Sequence, residues 1–177
     1  MKVTLKDKTF ALYLREEEIL GNIAEIGKRI SADYAGRTPL LLGVLNGSFL
    51  FAADLIREVK CDCQITFVKL ASYIGTGSSG EVRELVGLAE DIRGRDIIVV
   101  EDIVDTGLTL EKVMDTLQKH SPASVKVATL LYKPEAYKGK HKIDYVAMEI
   151  PNAFIVGYGL DYDGLGRNLR DIYQIVS

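Results

Sequence analysis

The chain has 177 residues, of which 47% are hydrophobic, and its 22 basic and 25 acidic side chains leave a formal charge of −3. That length fits a single domain over residues 1–177 with enough apolar material for a true core, and no disulfide or structural metal is required to hold it. The near balance of charge gives no electrostatic footprint for nucleic acid, the first seven residues lack the apolar stretch of a signal peptide, and no run reaches the length of a membrane span, so a cytoplasmic protein with no nucleic-acid or membrane partner is expected.

Three acids, Glu16, Glu17 and Glu18, suit a helix amino terminus, and Ile19, Leu20, Ile23, Ile26 and Ile30 follow at helical spacing, which predicts a packing helix. After Arg37-Thr38-Pro39, the apolar run 40–45 reads as a buried strand, and Asn46-Gly47-Ser48 turns into a helix over 49–59. Cys61 and Cys63 stand one residue apart, too close for an easy disulfide and without a further Cys or His to complete a zinc set; they read as strand residues in a reducing compartment. Residues 65–71 form another expected strand, 74–80 a flexible loop and 82–88 its returning partner, together a flap. Within it, Gly75-Thr-Gly-Ser-Ser-Gly80 matches the dinucleotide pattern G-x-G-x-x-G, but that fingerprint must open a helix, and Glu81-Val-Arg-Glu-Leu-Val86 has strand character. A flexible lid is the better account of three glycines and three hydroxyl residues.

Residues 93–96 turn into a strand whose four β-branched residues, Ile97, Ile98, Val99 and Val100, are those of a strand buried on both faces. Charge begins at Glu101, so the acids are expected at its carboxyl end. A helix over 108–117 and strands over 125–132, 145–150, 154–156 and 171–176 complete the pattern. Alternating βα units predict an α/β fold, a mostly parallel sheet flanked by helices on both faces.

Ligands of open α/β sheets bind beyond the carboxyl ends of the strands, where this chain places Glu101, Asp102 and Asp105. Thr106, Gly107 and Thr109 then offer backbone N–H groups and hydroxyls at the start of a helix, a cradle for an anion. Carboxylates so close would repel a phosphate unless ribose hydroxyls or a divalent cation lay between, so the combination suits a sugar phosphate with magnesium. Lys133, at the end of the strand over 125–132 and before Pro134, faces the same edge as Asp105. A lysine only donates, which fits a carbonyl oxygen and not an exocyclic amine. Taken by themselves, Lys133 also fits as an idle surface residue and Phe154 as a core aromatic.

The string Val99-Val-Glu-Asp-Ile-Val-Asp-Thr-Gly-Leu-Thr109 resembles the phosphoribosyl-pyrophosphate (PRPP) signature of the type I phosphoribosyltransferases, and its form resembles the hypoxanthine-guanine branch. The position of Asp105 is typically not aspartate in the adenine and orotate enzymes, and pyrimidine-operon regulators of this fold commonly carry tyrosine there. The resemblance covers residues 40–167 and implies a small hood, formed by the N- and C-terminal segments, and a lid containing Ser72 and Tyr73. It implies purine salvage: transfer of 5-phosphoribosyl from PRPP to N9 of a 6-oxopurine, hypoxanthine and also guanine, with Mg2+ as cofactor and a homodimer or homotetramer as the assembly.

Residue by residue, the resemblance implies that Glu101, Asp102, Ile103, Val104, Asp105, Thr106, Gly107, Leu108 and Thr109 hold ribose and its phosphate, with Asp105 the catalytic group at N7. Leu45, Asn46, Gly47 and Arg167 would face pyrophosphate, for which the planar arginine fork is suited. Lys133, Phe154, Ile155 and Asp161 would surround the purine, Lys133 at the 6-oxo group and Phe154 stacked on the ring. Glu101, Asp102 and Asp161 would support the metal, Asp161 through water; Tyr158 and Tyr162 read as packing residues. One departure stands out: the family often has lysine or arginine at the position of Asn46, and the Leu45–Asn46 peptide is commonly cis in relatives, so a backbone role carries over and a side-chain role does not. The alternative is a PRPP-sensing regulator that binds RNA or DNA, against which stand Asp105, Lys133 and the lack of an appended basic or helix-turn-helix segment.

Overall fold

The computed structural model describes residues 1–74 and 81–176. In chain order its elements are β1 (Lys2–Leu5), β2 (Lys8–Leu14), α1 (Glu16–Asp33), β3 (Leu40–Leu45), α2 (Phe49–Glu58), β4 (Gln64–Ile74), β5 (Glu81–Val86), β6 (Asp96–Val104), α3 (Leu108–Gln118), β7 (Ser124–Tyr132), β8 (Tyr145–Glu149), β9 (Ile155–Val156) and β10 (Ile172–Ile175). Six strands form the main sheet in the order β5-β4-β3-β6-β7-β8, parallel except for β5.

The central strands are apolar throughout because both of their faces are covered. Leu41, Ile98, Val100, Ala128 and Leu130 point into a core shared with α1 and α2, where Ile19, Ile23, Ile26 and Ile30 line one face of α1. Their neighbours Leu40, Leu42, Ile97, Val99 and Val127 point the other way, against Leu110, Val113, Met114 and Leu117 of α3. Each such aliphatic side chain contributes about 1.5–3 kcal/mol when fully buried. Gly27 lets α1 approach α2 closely, since a methyl there would overlap Cβ of Glu58.

The strand order reverses between β3 and β6. β3 pairs with β6 only as far as Gly43 opposite Val100, whereas β6 stays paired with β7 to Val104 opposite Tyr132. The two carboxyl ends therefore part, and a crevice opens at the topological switch point. The strand runs four residues past Val100, so Glu101 and Asp102 stand at its carboxyl end as expected. Glu101 and Asp102 lie within β6 because β7 continues to satisfy its backbone groups.

The termini form a second, antiparallel sheet, β1-β2-β10-β9, with Phe10, Val156 and Tyr173 at its core. The hairpin β1–β2 was not foreseen from the sequence. Two other expectations need correction. Cys61 and Cys63 lie in the connection before β4, not in a strand; both are free, and burial raises the Cys63 thiol pKa. The strand expected over 154–156 is β9, without Phe154. Ser72 and Tyr73 lie in β4, opposite Arg83 and Val82 of β5, and the lid expected over 74–80 falls, after Ile74, outside the described residues. The chain beyond Gly80 enters a strand and not a helix, as the rejection of a dinucleotide fingerprint requires. Among the described residues no helix is long and apolar enough to cross a membrane.

Candidate functional site

The crevice between the ends of β3 and β6 is a cleft of about 320 Å3. It is lined by Val44, Leu45 and Gly47 on one side and by residues 101–110 on the other, with Asp161 and Arg167 closing it. From Glu101 to Thr109 the signature thus faces one space, including Ile103, Val104 and Leu108.

Two carboxylates sit in its floor. Glu101 is 4% exposed and its Oε1 has no hydrogen-bond partner among the described residues; burial, with Asp102 beside it, pushes its pKa well above the usual carboxylate range. Burial likewise raises the pKa of Asp102 to about 6, against the opposing pull of the Ile103 N–H, which donates to Oδ1 at 2.9 Å. The other oxygen of Asp102 lies against the bare α-carbon of Gly47, where any side chain would overlap it. Gly159 in turn meets the carbonyl of Gly47, so the loops after β3 and β9 converge at Asp102 of β6. An unpartnered buried oxygen and a carboxylate that resists ionisation are what a metal ion or sugar hydroxyls would satisfy.

The loop between β9 and β10 is folded by the positive φ of Gly157 and Gly159 and by bridges joining Gly157 to Leu160 and Tyr162 to Leu165. Tyr158 is a packing residue, buried, with its hydroxyl donating to Asp54. Arg167 donates to the Gly159 carbonyl at 2.7 Å and pairs with Asp161 at 2.8 Å, while the other oxygen of Asp161 accepts the Gly164 N–H at 2.8 Å.

On the far side of the signature, Lys133 Nζ donates to Asp105 Oδ2 at 2.8 Å. The lysine is 6% exposed, whereas the Asp105 side chain is 45% exposed and reaches into the cleft. The Lys133 backbone N–H donates to the Val104 carbonyl at 3.0 Å, which fixes the lysine beside the end of β6. After Asp105, Gly107 adopts φ 93° at the N-cap of α3, with Thr106 and Thr109 exposed on either side. The left-handed turn leaves the first N–H groups of the helix unpaired with carbonyls and available to an anion.

Phe154 is 48% exposed and stands edge-on to Tyr162 at 5.9 Å, which leaves part of its surface open instead of placing it in the core. Ile155 is buried and paired with Gln174. Asn46 follows a cis peptide at Leu45–Asn46 and is exposed, outside the cleft lining. Lys133, Phe154 and Ile155 also lie outside that lining, so of the residues expected around the purine only Asp161 faces the cleft. Sequence reasoning did not single out Val44, Leu110 or Gly159; the first two look like ordinary core residues, and the contact made by Gly159 spans more than a hundred residues.

The sequence profile of the phosphoribosyl transferase domain matches residues 12–163. The hypoxanthine-guanine phosphoribosyltransferase of Streptococcus agalactiae serotype V is 48% identical over 155 residues, 87% of this chain and 86% of that protein. The enzyme of the same name from Mycobacterium bovis is 45% identical over 169 residues, 92% of this chain and 84% of its own length. The crystal structure of a hypoxanthine-guanine phosphoribosyltransferase from Bacillus anthracis superposes with a TM-score of 0.83 at 38% identity, covering 94% of this chain and 97% of the other.

Proposed function

The chain belongs to the phosphoribosyl transferase family, and from that premise we propose how its residues carry out the transfer of 5-phosphoribosyl from PRPP to a 6-oxopurine. It is a pentosyl-transferring enzyme of purine salvage, of the hypoxanthine-guanine type. The observation that carries the assignment of roles is the 2.8 Å contact between Lys133 Nζ and Asp105 Oδ2 at the sheet edge. A donor next to an acceptor complements a 6-oxopurine, whose carbonyl oxygen accepts beside an N7–H that donates. A 6-aminopurine would turn an N–H donor toward an ammonium group.

In this reading Asp105 accepts the N7 proton or its hydrogen bond, which raises electron density at the attacking N9. Phe154, with its partly open ring, stacks on the base beside the Ile155 backbone. Thr106, Gly107 and Thr109 hold the 5′-phosphate, and Glu101 and Asp102 receive the ribose hydroxyls. The backbone at Leu45 and Gly47 and the guanidinium of Arg167 face pyrophosphate, with Asn46 contributing through the chain and not its side chain. As the C1′–O bond lengthens, negative charge grows on pyrophosphate and Arg167 stabilises it. Direct displacement needs alignment and charge stabilisation, and no covalent nucleophile.

Magnesium fits the residues present: Asp102 and Asp161 offer hard oxygen ligands to the cleft, and Glu101 has a buried oxygen without a partner among the described residues. When bound, it supplies neutralising charge at the diphosphate of PRPP. Residues 1–177 act as one domain, in the cytoplasm, where PRPP and purine bases are met, and as a homodimer or homotetramer. The regulator considered from the sequence has no support, since the relatives carry the names of enzymes. The test is a spectrophotometric assay with PRPP, Mg2+ and each of hypoxanthine, guanine, xanthine and adenine. Nucleotide formation from hypoxanthine and guanine but not adenine is expected; equal use of adenine would remove the Lys133–Asp105 pair as the selector.

A further inference from the structure

We propose that Tyr137 is a positioning residue for the turn that binds the 5′-phosphate. The inference rests on the assignment of Thr106, Gly107 and Thr109 to that phosphate. Tyr137 does not line the cleft and lies thirty residues beyond the turn, yet its ring is pressed against it. A Cβ built on Gly107 would lie 2.6 Å from Cε2 of Tyr137 and 3.0 Å from Cδ2, so the flat ring occupies the space that the glycine leaves. Beside the same ring edge the chain folds back at Gly139, where a Cβ would fall 2.5 Å from the phenol oxygen and 2.7 Å from Cε2.

Two contacts fix the ring and a third fixes the loop that carries it. Its hydroxyl donates to the His141 carbonyl at 2.6 Å, Tyr132 packs edge-on at 5.6 Å, and the Lys140 N–H donates to Glu111 Oε1 at 2.9 Å, tying the same loop to the first turn of α3. The adjacent Lys138 N–H donates to the Thr106 carbonyl at 3.2 Å. In a planar trans peptide the C=O and the following N–H point opposite ways, so holding the Thr106 carbonyl toward Lys138 turns the Gly107 N–H away from it, to the cleft side. Gly107 at φ 93° has no side chain to limit its backbone, and the ring supplies that restraint from outside. The segment starts at Lys133, whose carbonyl accepts from the N–H groups of Ala136 and Tyr137, both at 3.1 Å. The brace is therefore anchored at the residue that reads the base but acts on the phosphate.

The experiment is steady-state kinetics on purified Tyr137→Phe, Tyr137→Leu and Tyr137→Ala, with calorimetric binding of inosine monophosphate. Tyr137→Phe, which keeps the ring, should stay within about threefold of the parent in every constant. Tyr137→Ala should raise the KM for PRPP and the Kd for inosine monophosphate at least about tenfold each, with the KM for hypoxanthine at saturating PRPP within about twofold. A general structural loss would move both KM values together or show first as a lowered Tm. If the alanine variant does not fold, Tyr137→Leu, which fills the space without a flat face, carries the same expectation. A folded leucine or alanine variant with unchanged KM for PRPP, or with both KM values raised alike, overturns the proposal. Thr109→Ala separates the two layers. If it leaves PRPP and nucleotide binding intact, the phosphate assignment fails and this inference with it; if it weakens both while Tyr137→Ala does not, only the brace is wrong.

Discussion

Asp102→Asn is expected to stabilise the ligand-free protein near neutral pH while weakening its hold on PRPP. Burial moves the Asp102 pKa from 3.8 to about 6, roughly two units, and each unit is worth about 1.36 kcal/mol, so the ionised group destabilises the fold by up to ~3 kcal/mol above pH 6. The sign comes from proton counting. Between about pH 4 and pH 6 the unfolded chain has released this proton and the folded chain retains it, so stability falls as pH rises through that window. Asparagine cannot ionise, yet its amide oxygen still accepts the Ile103 N–H that Oδ1 accepts at 2.9 Å. For a domain of this size 1 kcal/mol corresponds to about 2–4 °C, which predicts a Tm up to about 6–12 °C above the parent at pH 7.5 and no difference near pH 4. Thermal unfolding of both proteins across that range, without ligand, is the assay. A variant no more stable than the parent at pH 7.5, or a gap that does not change with pH, would refute the reasoning. The same variant should show a raised KM for PRPP, because the carboxylate that burdens the ligand-free fold is the one proposed to meet the ribose.

Lys133→Ala removes a charge-assisted hydrogen bond of about 1.5–3 kcal/mol, so the KM for hypoxanthine should rise by roughly 10- to 150-fold with that for PRPP within about threefold; equal losses for both would contradict its role at the base. Asp105→Asn should lower turnover by about a hundredfold or more, measured at saturating substrates, and an unchanged rate would take Asp105 out of the chemistry. Gly47→Ala places a methyl on Asp102 Oδ2 and should lower stability by about 1–3 kcal/mol and abolish tight PRPP binding. An alanine variant with a parental Tm and KM would show that the Gly47–Asp102 contact is not needed.

What the sequence discloses and what it hides divide along contact distance. The β-branched run from Ile97, the four isoleucines of α1 and the left-handed Gly107 are local patterns, and each leads to its element. The hairpin β1–β2 has no glycine at its turn. It is held by pairing with β10 some 160 residues later, Ile175 opposite Phe10, a contact for which no local residue speaks. Cys61 and Cys63 misled because partly buried residues beside a strand look like strand residues until the register is known. In the site, the signature is legible because ten contiguous residues, 101–110, line one cleft. The packing of Asp102 on Gly47 and of Gly107 on Tyr137 depends on glycines lacking an atom, and a sequence shows where glycine stands but not what fills the vacated space.

The charges of this cleft are mostly satisfied by one another, and how deeply each pair is buried decides how it can respond to a ligand. Arg167 and Asp161 have side chains 28% and 31% exposed, so their ion pair is worth about 1 kcal/mol or less, and water supports either partner when it parts. In its proposed role the guanidinium exchanges Asp161 for pyrophosphate at little cost and returns after release. Lys133 has no such freedom. At 6% exposure it cannot be rehydrated in place, and without a partner it would be an uncompensated buried charge, a situation that costs about 3–5 kcal/mol. It must keep Asp105 or acquire an equally good acceptor, and a 6-oxo group arriving beside Asp105 lets it have both. A base with a donor at that position would instead have to approach an ammonium group that cannot move aside into water. With Lys133 and Arg167 in the roles proposed, selection against 6-aminopurines rests on the burial of Lys133, whereas turnover of the diphosphate end draws on the exposure of Arg167.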